Sequence, residues 1–146
     1  MKSPLHLLHR AGQASAALFQ RHVAGTLTPR QFAALAAIEA HEGASQSVLV
    51  GATSIDRSTL SDIIRRLARQ GYVQRRRSRP DSRAWVVSLT ECGRDLLKTS
   101  GPEVARIEHE LLSCIPKLQR SRFLKSLDLI SSSLEKRHER SSRLAQ

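Results

Sequence analysis

Asp56-Arg57-Ser58-Thr59-Leu60-Ser61-Asp62-Ile63-Ile64-Arg65-Arg66-Leu67-Ala68-Arg69-Gln70-Gly71 is the stretch on which the fold turns. Asp56 is a helix N-cap residue and Gly71 a helix stop. Between them Leu60, Ile63, Ile64 and Leu67 fall at i, i+3, i+4 and i+7, which gives one buried face. At roughly 100° per residue the opposite face carries Ser58, Asp62, Arg65 and Arg69, with Thr59, Ser61 and Arg66 on its flanks. A merely solvated helix alternates Glu with Lys, and this one contains neither. Small hydroxyl residues near the start allow close approach to a major groove, and arginines further along reach guanine O6 and N7. The helix N-terminus adds a favourable phosphate position. Asp62 could accept from a cytosine amine, but an intrahelical pair with Arg65 or Arg66 is the favoured reading.

Two strand-like runs follow, 72–77 and 84–89, joined by the polar loop 78–83. Within the first run Arg75 and Arg77 share a face and Arg76 takes the other. Arg79 and Arg83 bracket a Pro80-Asp81 turn, which puts cations at a tip slim enough for a minor groove. Asp81 is suited to capping the turn and fixing an arginine. Upstream, Thr28-Pro29-Arg30-Gln31 is a capping box that opens a helix buried through Phe32, Leu35, Ala36 and Ile38 and stopped by Gly43. Ser45 is expected to cap a short helix carrying Val48, Leu49 and Ala52. Ser3-Pro4 starts the first helix, with Leu5, Leu8, Ala16 and Phe19 running to about Val23 and Gly25. Downstream, Thr90 caps a helix with Leu96, Leu97, Val104, Ile107, Leu111 and Leu112, which Ser100-Gly101-Pro102 is expected to kink or interrupt. A final helix from about Pro116 carries Phe123, Leu127, Ile130 and Leu134, and its charged tail, 136–146, is expected to fray.

A chain of 146 residues with 40% hydrophobic composition is long enough for one domain with a real core. No uninterrupted apolar run approaches the length of a membrane span. The first ten residues, broken by Pro4, His6, His9 and Arg10, do not read as a secretory signal. Cys92 and Cys114 cannot form a disulfide framework, so a reduced cytoplasmic setting is the expectation. The net charge is +11, and residues 57–83 hold nine arginines against two aspartates, a local +7. Charge so concentrated favours a polyanionic partner.

Helix, short helix, tight turn, capped helix and basic hairpin is the order of a winged helix-turn-helix. The carrying residues are Leu27-Thr28-Pro29-Arg30-Gln31-Phe32, Ile55-Asp56-Arg57-Ser58-Thr59-Leu60, Leu67-Ala68-Arg69-Gln70-Gly71-Tyr72-Val73, Asp81-Ser82-Arg83 and Ser88-Leu89-Thr90-Glu91-Cys92-Gly93. On these the chain resembles the MarR family of bacterial transcription regulators. The resemblance implies a mainly α single domain over 1–146. It would consist of a winged lobe over 27–99 (three helices plus a β-hairpin wing) and dimerisation helices at 1–26 and 100–146. It also implies a homodimer on palindromic operator DNA, with Arg83 as the minor-groove arginine and Asp81 as the residue that positions the wing. Read together, the DNA-contacting set is Arg57, Ser58, Thr59, Ser61, Asp62, Arg65, Arg66, Arg69, Arg75, Arg77, Arg79, Asp81 and Arg83.

The resemblance further implies a small-molecule pocket between dimerisation helices and DNA lobe. Its candidate residues are His9, Arg10, Gln13, Phe19, Arg30 and Phe32, for an aromatic acid or its acyl-coenzyme A thioester, although taken singly Phe19 and Phe32 read sooner as core and His9 as part of the dimer seam. No cofactor or metal is expected: His6 and His9 at i, i+3 lack converging partners. Cys92, in the first turn of a helix, is the more reactive-looking thiol. There is no nucleophile elbow or glycine-rich phosphate loop, so an enzyme is not expected. The competing reading is an architectural DNA binder that responds to no ligand.

Overall fold

The structure is a computed structural model and describes residues 3–23, 25, 27–78 and 85–144. Its elements in order are α1 (Pro4–His22), α2 (Pro29–Ala40), β1 (Ala44–Ser45), α3 (Gln46–Thr53), α4 (Arg57–Arg69), β2 (Val73–Arg77), β3 (Trp85–Leu89), α5 (Glu91–Ser113) and α6 (Lys117–Leu144). The chain divides into two compact units, 1–107 and 108–146.

In the first unit α1, α2 and α4 each begin at a side-chain cap. Ser3 accepts from the His6 N–H ahead of α1. Thr28 and Gln31 exchange both bonds of a capping box at α2, at 2.8 and 3.3 Å. Asp56 accepts from the Thr59 N–H at 2.9 Å to open α4. Gly71, at φ 80°, closes that helix in a conformation natural to glycine. The turn between α3 and α4 passes through Ser54, a non-glycine residue at φ 53°. Leu35, Ile38, Leu49, Leu60 and Leu67 are almost completely buried and form the centre of the core, with Val73, Val87 and Leu89 closing it from the sheet.

Several expectations are corrected. The hairpin is joined by a third strand, β1, giving the antiparallel order β1-β3-β2 with Ala44 opposite Val87. Ser45 occupies the N-cap position of α3 but makes no side-chain cap bond, because it is held in that strand. Of the apolar residues assigned to α3, Leu49 is buried, while Val48 and Ala52 are exposed. The first strand is one residue shorter than read, β2 beginning at Val73, while the expected start of the second at Ala84 lies outside the described residues. Helix α5 runs unbroken through Ser100-Gly101-Pro102. An internal proline costs on the order of 3 kcal/mol. Burial of Leu97 and Ile107 on either side holds the helix together.

The second unit contains the end of α5 and α6. Helix α6 extends to Leu144, within the charged tail, where Glu135, Lys136 and Arg137 are strong helix formers. Leu118, Phe123, Leu124, Leu129, Ile130 and Leu134 are exposed in this unit. Among the described residues no helix is long and apolar enough to cross a membrane.

At the base of the hairpin Gly93 lies so close to Tyr72 that an added Cβ would run into the Tyr72 backbone carbonyl. Gly93→Ala is therefore expected to cost about 1–3 kcal/mol, read as a lowered melting temperature in circular dichroism with helix content retained in the cold.

Candidate nucleic-acid interface

Helix α4 separates two chemistries. Leu60, Ile63, Ile64 and Leu67 are buried, and Ser58, Asp62, Arg65, Arg66 and Arg69 are exposed, with Thr59 and Ser61 half-buried between. Asp62 and Arg65 form the anticipated intrahelical ion pair, Oδ1 to Nη1 at 3.3 Å. In water such a pair contributes only a few tenths of a kcal/mol. Its effect here is to hold one guanidinium over the outward face.

Arg57 has a role not foreseen in the sequence. Its Nη2 donates to Ser47 Oγ at 2.6 Å, and Gln46 Nε2 donates to its carbonyl at 3.2 Å. These bonds tie the start of α4 to the start of α3. Asp56 sits beside them, and hydrogen bonds from Thr59 hold its carboxyl below the usual carboxylate range, with the Arg30 charge acting in the same direction. Arg66 and Arg69 line a polar hollow of about 470 Å³ with Thr28, Gln31 and Gln70.

On the wing, Arg77 is paired in register with Trp85 and Arg75 with Val87. Both guanidiniums lie over the indole, 4.8 and 5.4 Å from its ring centroid. Arg76, on the other face, donates to Gln74 Oε1 at 3.0 Å. Arg79, Asp81 and Arg83 lie outside the described residues. Trp85 was not singled out from the sequence. The two-residue period that placed Arg75 and Arg77 on one face is the signal that could have found it.

The six effector candidates differ in their surroundings. Phe19 is a core residue, His9, Arg10 and Gln13 are exposed on α1, and the Arg30 charge acts on Asp56. Phe32 alone of the six lines a cleft of about 580 Å³ between α2 and α5, with Ala36, Glu39, Arg94, Asp95, Leu97, Lys98 and Gly101. Arg94 there donates to the Leu89 carbonyl at 3.2 Å. Arg94 and Lys98 were missed because facing across a cleft is a tertiary property that one helix's spacing does not reveal. Among the described residues no group of three or more His, Cys, Asp or Glu is placed to hold a metal. Cys92 and Cys114 are both free and exposed.

Residues 26–84 match the model of the MarR family. The transcriptional repressor NicR of Pseudomonas putida is 38% identical over 98 residues, 66% of this chain and 62% of NicR. The match thus spans somewhat less than two thirds of that relative's length. The transcriptional regulator HosA of Escherichia coli O157:H7 is 31% identical over 65% of this chain and 75% of its own. Among solved structures, PcaV of Streptomyces coelicolor in complex with its natural ligand superposes with a TM-score of 0.86 at 26% identity, covering 91% of this chain and 94% of PcaV. BpsR of Bordetella bronchiseptica, whose DNA binding is regulated by 6-hydroxynicotinic acid, gives 0.83 at 29% identity over 89% and 94%.

Asp56→Ala is expected to lower stability by about 1 kcal/mol at neutral pH. Because folding depresses the Asp56 pKa, its contribution is present above the unfolded-state value and is lost as pH falls through the folded one. The difference between the two proteins in urea melts should therefore close as the pH drops below the usual carboxylate range.

Proposed function

From the premise that this chain belongs to the MarR family, we propose that it is a dimeric, ligand-responsive repressor of transcription that binds a palindromic operator. The observation that carries the reading is the outward face of α4, where Ser58 and Arg65 are exposed directly opposite a fully buried apolar face. That face fits a major groove, with the hydroxyls allowing approach and Arg65 reaching a guanine edge. Arg66, Arg69, Arg75 and Arg77 supply phosphate contacts, and Arg79, Asp81 and Arg83 of the wing enter the minor groove. The start of α4 is braced through Arg57 to α3, so Arg57 contributes more to holding the helix than to reading bases.

A second copy accounts for the apolar side chains that one chain leaves in water, Leu5 and Leu8 on α1 and Leu118, Leu124, Leu129 and Leu134 on α6. A two-fold dimer presents two α4 helices to half-sites about one helical turn apart.

The effector site is the cleft between α2 and α5. Phe32 and Leu97 supply apolar wall, and Arg94 and Lys98 supply cations for a carboxylate. A small aromatic acid matches this combination, in keeping with the ligand of BpsR. An acyl-coenzyme A thioester would extend out of the cleft toward the same cations.

The test is fluorescence anisotropy on the DNA upstream of the chain's own gene against a scrambled duplex, at about 150 mM salt, with aromatic acids and their coenzyme A thioesters added in turn. Preference for the native duplex by at least ~10³-fold, released by one compound class, is the expected result. Equal binding to both duplexes, indifferent to every compound, would instead make it an architectural binder. In the same assay Arg65→Ala should cost roughly 1–3 kcal/mol and flatten discrimination at one operator position. Unchanged relative affinities among operator variants would remove Arg65 from the reading face.

A further inference from the structure

The wing carries one large aromatic side chain that neither the core nor the proposed base-reading face uses. Trp85 is 44% exposed at the start of β3, and it is the only tryptophan in the chain. Its cross-strand neighbour is Arg77, and Arg75 follows two residues along the same face of β2. Two like charges at that spacing repel, and each long side chain is free to sample many rotamers in water. Here both guanidiniums instead lie over one indole, at 4.8 and 5.4 Å.

We infer that Trp85 is a positioning residue for DNA binding: it holds Arg75 and Arg77 by cation–π stacking on one face of the wing, where duplex phosphates would meet them. The inference rests on the reading of the chain as a DNA-binding regulator. A guanidinium engages an aromatic ring with its flat face, where the ring quadrupole is negative. Its hydrogen-bond donors lie in its plane, so the ring and a phosphate engage different parts of the group. The ring and the phosphate thus do not compete. Stacking also restricts the rotamers of both arginines before DNA arrives, so less ordering is left to occur on binding. Lysine could not substitute here, since a compact ammonium has no planar edge to present.

The single tryptophan allows an isosteric test. The protein is produced with singly and then doubly fluorinated tryptophan, which drains the ring quadrupole while keeping its shape. The same is done in an Arg75→Ala/Arg77→Ala background. The dissociation constant for the native duplex should rise stepwise, reaching roughly 2–5-fold overall, in the otherwise unaltered protein and stay flat in the double variant. An equal rise in both backgrounds, or none in the first, overturns the inference. A second arm needs no DNA: Trp85 emission in the free protein should change when Arg75 and Arg77 are replaced, and unchanged emission overturns the stack itself. If the unmodified protein binds neither native nor scrambled duplex, the DNA-binding reading fails and the role of Trp85 in it falls too, while the emission arm still reports on the stack.

Discussion

The closure at the base of the hairpin is the constraint on which the rest of the lobe depends. Thr90 donates its N–H to the Tyr72 carbonyl at 3.0 Å and its hydroxyl to the Gly71 carbonyl at 2.6 Å. The same hydroxyl accepts from the Gly93 N–H at 3.0 Å, starting α5. One residue, through its backbone N–H and its hydroxyl, therefore fastens the end of α4, the root of the wing and the start of α5. The absence of a Cβ at Gly93 lets the chains approach closely enough for these bonds to form. Without this fastening, the α4 face and the wing arginines would be separate charged segments with no fixed mutual geometry.

What was legible in the sequence is what is locally determined. The α4 boundaries followed from Asp56 and Gly71, and its buried face from four residues one helical period apart, because capping and amphipathicity are short-range physics. The Asp62–Arg65 pair was legible for the same reason. The β1 strand was not: two residues, Ala44 and Ser45, carry no period, and they become a strand only by pairing with Val87 and Val86 far along the chain. Pro102 misled because the local cost of proline was weighed without the burial of Leu97 and Ile107 that offsets it.

The site divides along the same line. Which residues face outward on α4 could be worked out from angles alone. That Arg57 braces α3, or that Arg94 and Lys98 face Phe32 across a cleft, depends on how helices from different parts of the chain meet. Of the effector candidates drawn from the resemblance, Phe19 is core and Phe32 lines the cleft, a distinction that spacing on one helix does not make. Concentrated positive charge pointed to a polyanion, and only tertiary contacts distinguish arginines that present an edge to solvent from those that brace the fold.

The strict division of α4 into a buried and an outward face has an evolutionary consequence. Positions 58, 62 and 65 bear none of the core packing, which rests on Leu60, Ile63, Ile64 and Leu67. If that face reads DNA as proposed, substitutions at those three positions would alter what it recognises at almost no cost in folding stability. A duplicated copy of such a gene could drift to a new regulatory target through a few single-residue steps, each yielding a folded protein. The scaffold and its vocabulary can thus be inherited separately, which is one physical route by which a single fold comes to serve many promoters.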